Sequence, residues 1–170
     1  MNNVLIDVLS EEMIEKIVKD LEGTSVARSE EYLGRCLKEN RLSKRITYVA
    51  FVNGDAAGLV NIVFNSDYPF FRENNIPEIN DLLAHPKYRR QGIGSALLRK
   101  AEETAARSYR YIGLGVGLYK DYGPAQRLYA KSGYIPDGNG IAYKNKEVKP
   151  GASVPVDDDL LIYMYKGLQG

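Results

Sequence analysis

Seven residues, Arg89-Arg90-Gln91-Gly92-Ile93-Gly94-Ser95, join a short apolar run (Ile79, Leu82, Leu83, Ala84) to an apolar-periodic segment (Ile93, Ala96, Leu97, Ala101, Ala105). The order is strand, turn, basic Gly-x-Gly loop and helix, and it constrains the fold more than any other stretch. The first turn of a helix presents amide N–H groups with no intrahelical partner, at the positive end of the helix dipole. Gly92 and Gly94 lack a Cβ, so their backbone can approach an anion closely. Arg89 and Arg90 add full positive charge beside those amides. The arrangement is a cradle for a diphosphate. It is not a Walker loop, because Gly94 is followed by Ser95-Ala96 without a lysine. Nor is it a dinucleotide fingerprint, because Leu97 stands where a third Gly or Ala belongs.

Length and composition fit one α/β domain, 1–170, able to bury a proper core. The net charge of +1 argues against nucleic acid as a main partner. The charge is unevenly spread: residues 86–110 carry seven Lys/Arg against Glu102 and Glu103, on the loop and its helix. Cys36 is the single cysteine, so no intrachain disulfide can form, and a reducing cytoplasm is the expected compartment. No His, Cys and carboxylate set has metal-ligand spacing, so no metal is expected. Asp157-Asp158-Asp159 reads as a solvated run before a strand. The opening MNNVLIDVLS has neither a basic region nor a long apolar core, and no run is long enough to span a membrane.

The chain reads as a strand at Val4–Leu9 and then a helix capped by Ser10 with apolar Met13, Ile14, Ile17, Val18 and Leu21. A second helix covers 29–40. Strands 46–52 and 57–64 form a hairpin at Asn53-Gly54-Asp55. The aromatic stretch Ser66–Pro77 reads as irregular. A strand near Glu78–His85, the glycine loop and its helix follow, then a strand at Tyr111–Gly117 and a helix at Pro124–Ser132. A turn-rich stretch containing Gly138-Asn139-Gly140 leads to a last strand at Leu160–Tyr165, which is either internal or a pairing edge for a homodimer. The alternating Gly113, Gly115 and Gly117 mark close backbone approach inside a strand.

Arg-x-x-Gly-x-Gly before an amphipathic helix resembles the acetyl-CoA loop of the GNAT superfamily of N-acyltransferases. About thirty residues on, Ala125-Gln-Arg-Leu-Tyr-Ala-Lys-Ser-Gly-Tyr134 resembles the Ala-x-x-Leu-Tyr-x-x-x-Gly-Phe/Tyr element of the same superfamily. Two unrelated motifs in the right order and at the right interval identify the chain as a member. The resemblance implies a central mixed, largely antiparallel sheet of about six or seven strands flanked by about four helices. Two splayed parallel strands would then frame the cofactor.

It also implies roles. Leu82, Leu83 and Ala84 would hold the pantetheine arm of acetyl-CoA and supply the oxyanion donor. Arg90, Gln91, Gly92, Ile93, Gly94 and Ser95 would wrap its pyrophosphate, with Arg89 adding charge. Tyr129 matches the tyrosine that protonates the departing thiolate, as a phenol near pKa ~10 can at neutral pH. Glu78 matches the glutamate base of histone-type members; period-two alternation sets it on one face with Asn80, Leu82 and Ala84, and Asp81 on the other. Tyr122 stands where many relatives carry a cofactor-touching Asn, so its hydroxyl binds cofactor or its ring lines the acceptor pocket. The expected reaction is direct acetyl transfer to a primary amine on a small molecule or peptide. Tyr68–Phe71, Glu30, Glu31 and Asp157–Asp159 are candidate walls for a cationic acceptor. A non-catalytic CoA-binding module and an enzyme using another acyl-CoA remain open alternatives.

Overall fold

The computed structural model of the chain describes residues 4–168; Met1–Asn3, within the stretch read for a leader, and Gln169–Gly170 lie outside them. Eight strands and five α-helices follow among the described residues. In order they are β1 (Val4–Val8), α1 (Ile14–Leu21), α2 (Glu30–Arg41), β2 (Arg45–Val52), β3 (Asp55–Val63), α3 (Pro69–Glu73), β4 (Glu78–Ala84), α4 (Ile93–Ala105), β5 (Tyr111–Gly117), α5 (Gly123–Lys131), β6 (Ile135–Tyr143), β7 (Lys146–Glu147) and β8 (Leu160–Gly167). The chain forms two compact units, one from the stretch up to Phe64 with Asn80–Thr104, the other from Asn65–Ile79 with the stretch from Ala105 on.

In the first unit the strands neighbour one another in the order β1-β2-β3-β4. The β2–β3 hairpin closes at Val52↔Asp55, with Asn53 and Gly54 both at positive φ (51° and 87°). That is the backbone a two-residue turn between twisted strands requires. Helix α1 is entered through a 3₁₀ turn, Glu11–Met13, and the Ser10 side chain makes no cap bond. Helix α2 is capped by a serine that the sequence reading places inside the helix: Ser29 Oγ accepts from the Tyr32 N–H at 3.1 Å. The two helices bury Ile14, Ile17, Leu21, Leu33, Cys36 and Leu37 against Val49, Leu59 and Leu83. This is one apolar stripe per helix at the 3.6-residue period.

Gly58 sets how closely β4 and α4 approach β3. A Cβ there would lie 2.4 Å from the Leu83 carbonyl oxygen and 3.2 Å from Ile93 Cγ2.

In the second unit the order is β4-β5-β8-β6-β7. β4 and β5 run parallel, registered at Glu78↔Gly113 and Ile79↔Leu114, and β8 pairs antiparallel with β5 on one side and β6 on the other. The last strand is therefore internal. Its core is aromatic: Tyr68 stacks on Tyr163 at 3.6 Å, and Phe71 meets both edge-on. The β5 glycines make room for rings, since a Cβ on Gly113 would fall 2.3 Å from Phe71 and one on Gly117 would fall 2.3 Å from Tyr122.

The mixed, largely antiparallel sheet agrees with expectation. The additions are α3, within the stretch read as irregular, and β6 with β7, within the stretch read as turns. Pro136, Gly138 and Gly140 look like turn residues. Yet β6 advances from Pro136 to Ile141 while β8 advances only from Met164 to Ile162, so the glycines (φ 85° and 76°) sit in a wide bulge of a paired strand. No described helix is long and apolar enough to cross a membrane.

Candidate active site

The glycine loop is anchored before it turns. His85 N–H donates to the Ala57 carbonyl at 2.8 Å, and a 3₁₀ turn, Pro86–Tyr88, follows. His85 Nδ1 accepts from the Lys87 N–H at 3.0 Å. Tyr88 is buried, and its hydroxyl donates to Asp55 Oδ2 at 2.7 Å. That bond, with Lys87, holds the Asp55 carboxyl below its usual range. Arg90 (φ 60°) and Gly92 (φ 83°) then reverse the chain. The helical ladder of α4 begins with Ala96 N–H donating to the Gly92 carbonyl at 2.9 Å. The amide hydrogens of Ile93, Gly94 and Ser95 consequently stand outside the ladder.

Ile93 is buried and pins the helix start, while Arg89, Arg90, Gln91 and Gly92 are exposed. Arg89 reaches Ser25 Oγ at 3.3 Å, and Gln91 Nε2 donates to the Lys87 carbonyl at 3.1 Å. Outward amides, two exposed guanidinium groups and a left-handed glycine make a donor set that fits a diphosphate.

Upstream, in the same unit, β4 carries Leu82, Leu83 and Ala84 into this turn, with Leu83 in the core and its two neighbours half-buried. The strand is not regular. Asp81 has a positive φ of 54°, so simple alternation cannot be carried through it from Glu78 to Ala84. Its carboxylate takes the Arg28 guanidinium and the Tyr32 hydroxyl.

In the second unit, Glu78 accepts a hydrogen bond from Ser66 Oγ. Burial, then the nearby Glu78 carboxylate, pushes the Tyr163 phenol up. Tyr129 is the buried residue of α5 (7% exposed), packed 6.0 Å from the Tyr134 ring. Burial alone pushes its phenol up to about 12. Tyr122 donates its hydroxyl to Asp158 Oδ1 at 2.9 Å, its ring covers Gly117, and the Tyr119 hydroxyl donates to the same carboxylate oxygen. Asp157 accepts from the Tyr143 hydroxyl at 3.0 Å. These aspartates, read as a solvated run, tie down the loop before α5 and the neighbouring strand. Tyr68 and Phe71 are core residues. Glu30 and Glu31 line a groove of about 620 Å³ with Glu11, Ile14, Glu15 and Gly34.

The model of the acetyltransferase (GNAT) family matches residues 11–134. The chain belongs to this family. An acetyltransferase of the GNAT family from Streptococcus pneumoniae is 25% identical, with TM-score 0.68, over 98% of this chain and 100% of that one. The yncA structure from Salmonella typhimurium, solved with its cofactor acetyl-CoA, is 18% identical with TM-score 0.69, over 99% and 95%. Mutant forms of the spermidine/spermine N-acetyltransferase SpeG from Vibrio cholerae are 14% identical with TM-score 0.66, over 97% and 94%. No curated protein matches the chain.

Within this GNAT chain, sequence reasoning overlooked Gly58, Arg28 and Tyr32. Gly58 had a signal, a glycine inside an apolar strand. The other two act through contacts across 53 and 49 positions of sequence, which no local pattern encodes.

Proposed function

We propose that the chain, as one domain over residues 1–170, is a cytoplasmic N-acetyltransferase that moves an acetyl group from acetyl-CoA to a primary amine by direct attack. The observation that carries this reading is the loop: a left-handed Gly92, exposed Arg89 and Arg90, and the free amides of α4, in a member of an acetyl-CoA-using family. Arg90 to Ser95 bind the diphosphate, and the backbone of Leu82 to Ala84 takes the pantetheine arm and the thioester oxygen. Tyr122 is assigned to the wall of the cofactor or acceptor pocket.

The chemistry needs two proton transfers. An alkylamine is mostly protonated at neutral pH, with a pKa near ~10.4, and Glu78 accepts the proton that frees its lone pair. The N–C bond forms as the C–S bond breaks, and Tyr129 gives its proton to the departing sulfur. A phenol raised to about 12 is fully protonated at neutral pH, as this role requires. No step uses a metal.

The test is release of free CoA thiol from acetyl-CoA across a panel of polyamines, aminoglycosides, peptide N-termini and peptide lysines. Turnover with one amine class supports the reading. CoA binding without turnover on any amine would make the chain a binding module, and faster turnover with propionyl- or succinyl-CoA would change the acyl group.

A further inference from the structure

We propose that Arg28 and Tyr32 are positioning residues: they hold Asp81 in its left-handed conformation and so fix how β4 presents the backbone of Leu82 to Ala84. The inference rests on the transferase reading, in which that backbone faces the thioester.

A left-handed residue inside a strand that is not glycine persists where its surroundings enforce it. Here the enforcement is visible. Arg28 engages both carboxylate oxygens of Asp81, through Nε to Oδ2 at 2.9 Å and through Nη2 to Oδ1. The Tyr32 hydroxyl adds a third donor to Oδ2 at 2.6 Å. Tyr32 is itself fixed, because its oxygen accepts from Asn61 Nδ2 at 2.9 Å. Asn61 in turn accepts from Thr47 Oγ1 at 2.6 Å, and both residues are fully buried.

The Arg28 guanidinium also lies 5.6 Å from the Tyr32 ring centre. Asp81 is thus tied to α2 and, through Asn61 and Thr47, to β3 and β2. A carboxylate with a guanidinium fork and a phenol on it is committed to structure. This argues against Asp81 as the base and for a role through its backbone. Two residues on, Leu83 is locked into the core, so the segment between has little freedom.

Substitutions at Asp81 separate backbone geometry from carboxylate chemistry. Asn favours the left-handed region and keeps hydrogen-bonding atoms, Gly allows that region without an anchor, and Ala does neither. The expected order of kcat is wild type, Asp81→Asn, Asp81→Gly, Asp81→Ala, with the last down by about tenfold to a hundredfold, short of the roughly 10²–10³-fold lost when an oxyanion donor is removed outright. CoA affinity by calorimetry should fall by a smaller factor than kcat, because the diphosphate loop is untouched and only the contact of Leu82 to Ala84 with the pantetheine arm is disturbed. Equal losses in all three variants would show that the carboxylate itself acts, and wild-type kcat in all three would show that the left-handed conformation of Asp81 does not matter; either overturns the proposal.

Amide exchange in the unliganded protein reads the clamp independently of turnover. Protection of Leu82 to Ala84 that survives in Asp81→Asn and is lost in Asp81→Ala supports the clamp, whereas unchanged protection in Asp81→Ala overturns it. A wild-type chain that neither binds CoA nor releases thiol defeats the transferase reading, and the exchange data still decide the clamp.

Discussion

Tyr129 shows how burial sets the state of a single group: desolvation alone lifts its phenol to about 12. Replacing it by Phe removes a proton donor and leaves the ring, so kcat should fall by about 10²-fold while CoA affinity is retained. On the alkaline side, wild-type kcat should show no loss from Tyr129 ionisation until the pH nears 12. A pH–rate profile with a limb near 9 that disappears in Tyr129→Phe would contradict this. Glu78→Gln should slow turnover at neutral pH, by a factor that shrinks as the pH approaches the amine's own pKa near ~10.4. The reason is that a neutral amine needs no base. A pH-independent loss would assign Glu78 to binding instead.

At the scale of elements, two glycines carry opposite expectations. Gly34 lies inside α2, where an added Cβ meets nothing within 4 Å. Gly34→Ala should therefore stabilise the chain by about 0.5–1 kcal/mol, the ordinary advantage of alanine in a helix. Gly58 lies inside β3 against the Leu83 carbonyl, which is backbone and cannot swing aside. Gly58→Ala should destabilise by about 1–3 kcal/mol, as other overpacked sites do. It should also weaken CoA binding, because Leu83 and Ile93 flank the glycine loop. Urea midpoints read the stabilities and calorimetry reads the affinity; a neutral Gly58→Ala would mean that β4 and α4 move apart at no cost.

The chain as a whole should be sensitive to alkali. Burial raises the phenols of Tyr32, Tyr68, Tyr122, Tyr129 and Tyr163, each helped in all but Tyr129 by neighbouring carboxylates or phenols. A folded-state pKa above the unfolded value of about 10 means the native chain holds protons that the unfolded chain has released. The stabilisation is complete below about pH 10 and is lost as the pH rises through the native values. Unfolding midpoints should hold steady up to about pH 9 and fall beyond about pH 10, with tyrosinate absorbance rising in the same transition. Steady midpoints through pH 11 would show that these phenols ionise in the native state at their ordinary values.

Local physics accounts for what was legible beforehand. The I′ turn at Asn53-Gly54, the apolar stripes of α1 and α2, and the Gly92 bend before α4 each follow from residues adjacent in the chain. The loop and the Leu128-Tyr129 element together pointed to the family. What lay beyond reach depends on distant partners. β6 is a strand because β8 lies beside it, despite its turn-forming glycines. Asp81 is left-handed because Arg28 and Tyr32, about fifty positions earlier, close on its carboxylate. Periodicity and turn chemistry are properties of neighbours in sequence, so the sequence by itself settled most element types and the glycine bend that opens α4. Strand pairing, the irregularity in β4 and the commitments of Tyr122 and Asp158 are settled by groups that meet only once the chain has folded, and those the tertiary structure alone decided.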